Sequence, residues 1–197
     1  MTNSRMPQIQ SLLDYISGYI AMTNEETDFI VDIAQLHVFK KNEIIHEQNN
    51  RVSMLGFILK GGVRAFYLND EGEEHTIEFY YENEILGDYN SLMKKQQTEA
   101  SIQALERTKL IAITYRDFLT FLNRFPRYLN VLSEMLSESI SQVTERSKLL
   151  RISSSRERYE AFCTMRPKVA QRAPLTYIAS YLGMALGTLS KVRAGKL

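Results

Sequence analysis

A single cysteine, three scattered histidines and the lack of any apolar run near the eighteen or so residues of a membrane span exclude several classes of protein at once. Cys163 alone closes no intramolecular disulfide and builds no thiolate cluster for zinc or iron–sulfur. Beside Phe162 and Met165 it reads as a small core residue. His37, His46 and His75 lie in different segments without metal-ligand spacing and read as structural, so no metal is expected. The opening stretch MTNSRMPQIQSLLDYISGYI has neither a charged n-region nor a long apolar core. No nucleophile–base pair or carboxylate dyad stands out, which argues against an enzyme. The expectation is a cytoplasmic protein with no membrane partner.

What is present is enough to fold: 197 residues at 44% hydrophobic content bury a real core, as one large domain or a domain with a small appendage. The net charge of +1 hides a division. From Ser153 to Leu197 eight basic residues face two acidic ones, a net +6, which leaves −5 for the first 152 residues. A basic C-terminal segment on an otherwise acidic chain points to a polyanion as partner, with a merely solvated basic surface as the plainer reading.

Periodicity divides the chain further. Ile9, Leu12, Leu13 and Ile16, then Phe29, Ile30 and Ile33, recur at helical spacing and predict helices over Pro7–Tyr19 and Asn24–Leu36, the second capped by Thr23 or Asn24. From Val38 the period falls to two. Short segments such as MLGFILKGGVRAFYLN, EEHTIEFYYENE and TKLIAITYRDF, broken by Gly61-Gly62 and Asn69-Asp70-Glu71-Gly72, predict about eight strands over residues 38–115. That many short strands imply an antiparallel roll or jelly roll, so the fold class is α+β. Beyond Asp117 the helical period returns, with Leu129, Leu132, Leu136, Ile140, Val143 and Leu150 in a near-heptad seam. A narrow apolar stripe on a helix of some 25 residues favours a parallel homodimer over a helix packed only on its own barrel.

The stretch LTYIASYLGMALGTLSKVRAGK carries the most specific pattern. Counting from Leu175, a small residue at the fifth position (Ala179), glycine at the ninth (Gly183) and apolar residues at Ile178, Leu182, Met184, Leu189 and Val192 make a helix-turn-helix. An αα-hairpin that touches no DNA is the competing reading. In this pattern the second helix starts near Ala185 and offers Leu186, Gly187, Thr188, Ser190, Lys191 and Arg193 to a duplex, while Thr176, Tyr177 and Lys196 suit phosphate contacts.

With FILKGGVRAFY, FYYENEILGDYNS, EASIQALE, RERYEAF and PLTYIASYLG in this order, residues 10 to 193 resemble the catabolite-activator (Crp/Fnr) transcription regulators, in particular a branch common in Bacteroidetes-type bacteria. The resemblance implies a cyclic-nucleotide-binding-type β-roll sensor with flanking helices over 1–125, a long dimerisation helix over 126–152 and a DNA-binding helix-turn-helix over 153–197. Implied partners are double-stranded DNA and a second copy of the chain, with RNA polymerase a further candidate. The nucleotide-binding members carry Gly-Glu at the start of a loop and Arg-Ser/Thr-Ala at its end. Here Gly87 matches, Asp88 replaces the glutamate, and Thr98-Glu99-Ala100 stands where the arginine belongs. The expected pocket, Gly87, Asp88, Tyr89, Asn90, Ser91, Thr98, Glu99 and Ala100, therefore lacks its phosphate partner. Asp88 and Ser91 serve equally well as helix caps. Cyclic AMP is not expected to bind in the usual manner, which leaves an unidentified small-molecule effector. The alternative function is a ligand-binding or protein-interaction module with a degenerate helix-turn-helix.

Overall fold

The computed structural model describes residues 6–51, 54–88, 94 and 96–196. Helices α1 (Met6–Ser17) and α2 (Asn24–Ile33) precede eight strands: β1 (Gln35–Phe39), β2 (Ile44–His46), β3 (Met54–Lys60), β4 (Val63–Leu68), β5 (Glu74–Tyr80), β6 (Ile85–Leu86), β7 (Ser101–Ala104) and β8 (Thr108–Thr114). The remaining described helices are α3 (Tyr115–Arg124), α4 (Tyr128–Leu150), α5 (Ser155–Met165), α6 (Pro167–Arg172), α7 (Leu175–Tyr181) and α8 (Leu186–Arg193). None is long and apolar enough to cross a membrane.

Two sequence expectations shift. Helix α2 stops at Ile33 rather than Leu36 because Ala34 already has extended angles, and Gln35–Phe39 pair with Ala112–Thr108 of β8. Cross-strand pairing overrides the helical spacing there. Thr23 rather than Asn24 is the cap: its hydroxyl accepts from the Glu26 amide at 3.3 Å and the Glu26 carboxylate accepts from the Thr23 amide at 2.8 Å. A reciprocal box of this kind contributes about 1 kcal/mol.

The strands form two four-stranded antiparallel sheets, β1-β8-β3-β6 and β2-β7-β4-β5, an antiparallel jelly roll with helices on both sides. The alternation of strand side chains distributes the apolar residues among three cores. Ile58, Leu110 and Ala112 fill the space between the sheets with Val63 and Leu86. Phe57 and Ile111, of opposite parity, pack outward from the first sheet against α1, α2, α3 and the first turns of α4. Phe79, Tyr81 and Leu105, at the outer side of the second sheet, pack against the C-terminal helices through Phe162, Ile178 and Tyr181. The glycine pair predicted as a turn serves this arrangement: Gly61 has φ +100°, and a Cβ there would meet the Thr108 backbone at 2.7 Å.

An ion pair between half-exposed Arg127, at the start of α4, and buried Glu26 fixes that helix to the amino-terminal ones. Glu26, buried, accepts from Arg127 Nε at 2.8 Å and from Arg127 Nη2 at 2.5 Å. Burial opposes the carboxylate charge, but Arg127 and the Thr23 amide outweigh it and hold the Glu26 carboxyl below the usual range.

Candidate ligand loop and nucleic-acid interface

The described ends of the loop that begins at Gly87 meet each other. Thr98 is buried, and its hydroxyl donates to Asp88 Oδ2 at 2.9 Å. The Thr98 amide donates to the Asn50 carbonyl at 2.9 Å, and the Asn49 amide donates to the Thr98 carbonyl at 2.8 Å. Asp88, expected to replace the ribose-holding glutamate, is thus engaged by the residue that stands in the arginine's place. Glu99 is exposed and shares an open depression with Asn49, Arg51 and Gln97. Ala100 is half-buried and donates its amide to Thr98 Oγ1 at 3.3 Å. Gly87 lies against Leu55, where a Cβ would approach to 2.6 Å. Tyr89, Asn90 and Ser91 lie outside the described residues. His46 borders the same loop; burial pushes its pKa down, while the Asn50 backbone, Asp88 and Glu47 push it up more weakly.

At the C-terminus, α7 and α8 form a helix pair turned by Gly183 at φ +61°. Ile178, Ala179, Leu182 and Leu189 are buried in the shared core and Val192 nearly so, which places Leu189 and Val192 inward as the spacing predicts. On the opposite side Leu186, Gly187, Ser190, Lys191, Arg193 and Lys196 are exposed and Thr188 is half-buried. Thr176 is exposed. Tyr177 is not turned to solvent: its ring lies under the guanidinium of Arg64, 3.6 Å from the ring centroid.

Arg64 was not singled out by the sequence, because one arginine in a strand reads as an outward polar residue. It is only 1% exposed. Its Nε donates to Gln103 Oε1 at 2.9 Å, it pairs with Glu74, and its far face covers Phe66 at 4.1 Å. Around it the C-terminal helices fasten to the second sheet. Ser180 Oγ accepts from the Thr76 amide at 2.9 Å. Arg166 pairs with Glu78 at 3.1 Å and donates to the Phe79 carbonyl at 2.6 Å. Arg172 meets both oxygens of Glu82 at 2.7 and 2.9 Å and pairs with Glu106 as well. The basic excess is accordingly split: Arg166 and Arg172 bind acidic strand ends of the same chain, while Lys191, Arg193 and Lys196 stay at the surface. Two distant signals in the sequence, the acids of EEHTIEFYYENE and the arginines after Ser153, carried this complementarity without declaring it.

Comparison with known proteins follows the same outline. Residues 36–125 match the cyclic nucleotide-binding domain. The cyclic AMP receptor protein of Thermus thermophilus is 26% identical over 134 residues, 68% of this chain and 62% of that protein. The chain thus spans less than two thirds of that curated relative. The structure of FixK2 from Bradyrhizobium japonicum superposes with a TM-score of 0.74 at 16% identity, covering 83% of this chain and 84% of the other. A regulator of the Crp/Fnr family from Eubacterium rectale superposes with a TM-score of 0.72 at 20% identity, covering 92% and 87%. The chain therefore carries a cyclic nucleotide-binding-type domain over residues 36–125 in a Crp/Fnr-like fold, and its more distant relatives include the cAMP-activated global transcriptional regulator of Salmonella typhimurium, 18% identical over 63% of this chain and 59% of that protein.

The Arg172–Glu82 contact yields a pH prediction. Hydrogen bonding to Arg172, opposed by partial burial, holds the Glu82 carboxyl at about 2. A depressed carboxyl contributes stability that is present above its ordinary value and lost as the pH falls through the folded one. Protection of the amides in α6 and α7, corrected for the intrinsic pH dependence of exchange, should fall below about pH 4. The Glu82→Gln variant should show faster exchange already at neutral pH and a flatter acid response. Glu78, raised by burial against the pull of Arg166, works in the opposite sense and is common to both proteins.

Proposed function

We propose that this protein is a dimeric, DNA-binding transcription regulator of the Crp/Fnr type, whose β-roll does not take cyclic AMP in the usual manner. The observation that carries the reading is the two-sided second helix of the C-terminal pair: Leu189 and Val192 anchor it while Ser190, Lys191 and Arg193 stand exposed on a positively charged segment. An exposed helix with its leading end free fits the major groove, and its lysine and serine are suited to base edges. Leu186, 45% exposed, offers an apolar contact to a thymine methyl. Transcription regulators among the homologues and structural neighbours support the same assignment.

The dimer rests on α4. In the single chain Leu129, Ile140 and Val143 are 53%, 67% and 65% exposed, on one stripe with the half-buried Leu136. Leu132, expected in the same seam, also packs against the first core, and Leu150 lies half-buried at the far end next to buried Leu149. The seam is thus reduced towards the two ends of the helix and most exposed at Ile140 and Val143. An exposed apolar stripe of this length is best covered by its symmetry mate. The Bacteroidetes-like branch and contact with RNA polymerase belong to this proposal too, on motif resemblance alone.

A second reading, a module whose helix pair is not used on DNA, draws on Gly187 and on Ala185, which starts α8 with no side-chain cap. Both weaken that helix, the glycine by about 1 kcal/mol relative to alanine.

Three measurements test the proposal. Genomic fragments captured by the purified protein should share paired half-sites, with affinity falling steeply as salt rises; Lys191→Ala should cost about 1–3 kcal/mol and relax the preference at one base pair of each half-site. Uniform weakening would make Lys191 a phosphate contact, and no change would favour the second reading. Sedimentation should give a dimer at micromolar concentration for the native chain, and a monomer with weakened operator binding for Leu136→Glu combined with Ile140→Glu. Calorimetry with cyclic AMP should give no stoichiometric heat; tight binding abolished by Asp88→Ala would overturn the assignment of the loop.

A further inference from the structure

A second internal space adjoins the start of the loop through Leu55, which also lies against Gly87. It is a half-enclosed cavity of about 110 Å³ on the outer side of the first sheet, bounded by α1, α2, α3 and the first turns of α4. Of the strand residues that line it, Leu55, Phe57, Ile111 and Ile113 have the parity opposite to that of Ile58, Leu110 and Ala112, which fill the interior of the roll; Ile85 and Gly56, which has no side chain, complete the strand lining. The sheet itself therefore separates the cavity from the space between the sheets. None of the described residues from Gly87 to Ala100 borders it. Its wall is carbon almost throughout.

We propose that this cavity is a binding site for a small uncharged apolar molecule, the size of a single aromatic ring or the end of an acyl chain. Three observations support the assignment. The volume approaches that of engineered apolar cavities of roughly 150 Å³ that stay dry and admit benzene. Leaving such a space empty forfeits the dispersion contacts of its whole lining, in a core that is otherwise closely packed. A charged ligand is excluded because no described residue of the lining offers an ionic partner, and burial of an unpaired charge is prohibitive.

A second copy of the chain does not fill the space. Tyr128, Val131 and Met135 line it from one side of α4, whereas the exposed stripe of Leu129, Leu136, Ile140 and Val143 lies about a quarter turn round the helix. A partner helix on that stripe passes beside the cavity. Leu132 sits between the two faces, touching both the cavity and the edge of the seam. An occupant thus bears directly on how α4 seats against the roll, and hence on the helix that carries the proposed dimer. The binding site stands on the cavity alone; only its regulatory consequence rests on the function proposed above.

The test uses the full chain and toluene as the probe, without DNA. Near aqueous saturation toluene should raise the thermal midpoint of the native protein by roughly 3 °C or more, since a ligand that binds only the folded state stabilises it. Ile113→Phe, which fills the space from β8, should cut that rise at least fivefold. Val131→Leu fills it from α4 and serves as a second variant if the first folds poorly. No rise for the native protein, or an equal rise for native and filled variants, overturns the proposal. DNA affinity, measured separately with and without toluene, reports the coupling; failure of DNA binding leaves the thermal result intact, so the two readings fail separately.

Discussion

Burial of a guanidinium needs a complete set of partners, and for Arg64 that set is divided between the roll and a ring more than a hundred residues further along the chain than the arginine itself. Gln103 and Glu74 belong to the roll, while the ring of Tyr177 belongs to the C-terminal helix pair. A charge left 1% exposed without the ring over it would keep its hydrogen bonds but face water on one side, and Phe66 would be uncovered with it. The contact therefore makes the position of the helix pair a condition for closing the outer face of the second sheet. Phe79 and Tyr81 meet the same requirement through apolar packing against Phe162 and Tyr181.

Helix α4 joins the two sides. At its start Tyr128 and Val131 belong to the core over the first sheet; at its end Leu149 belongs to the core over the second. Between them Arg146 lies 4.5 Å over the ring of Tyr181 and reaches the carbonyls of Thr76 and Tyr181 at 3.5 and 3.4 Å. One side chain on the long helix thus touches both a roll strand and the first helix of the pair.

The acid-rich strand ends give this interface its charge complement. Glu78, Glu82 and Glu106 face Arg166 and Arg172, and the carboxylates are perturbed in opposite senses according to burial: Glu82 is lowered by its guanidinium, Glu78 is raised by desolvation despite one. The division into an acidic roll and a basic tail thus resolves into two parts, an internal charge pairing at this contact and an exposed remainder on and beyond α8. Only the second was legible from net charge, because charge counts carry no information about which residues meet.

Local patterns determined much of this protein directly. The change of period from 3.6 to 2 and back, the Thr23–Glu26 spacing and the positions of Ala179, Gly183 and Leu189 each specify structure within a few residues, and alternation along a strand specifies which side chains share a face. The missing arginine at Thr98 was equally visible, since it is a matter of residue identity at a place in a motif. Tertiary structure alone decided that Thr98 turns to Asp88 while Glu99 turns to water, that α2 yields Gln35–Phe39 to the sheet, that Leu132 is shared between core and seam, and that Tyr177 is covered by Arg64. The physical reason is the same in each case. Periodicity fixes the direction of a side chain relative to its own backbone, whereas its partner is fixed by which distant segment the fold brings opposite, and no short stretch of sequence contains that segment.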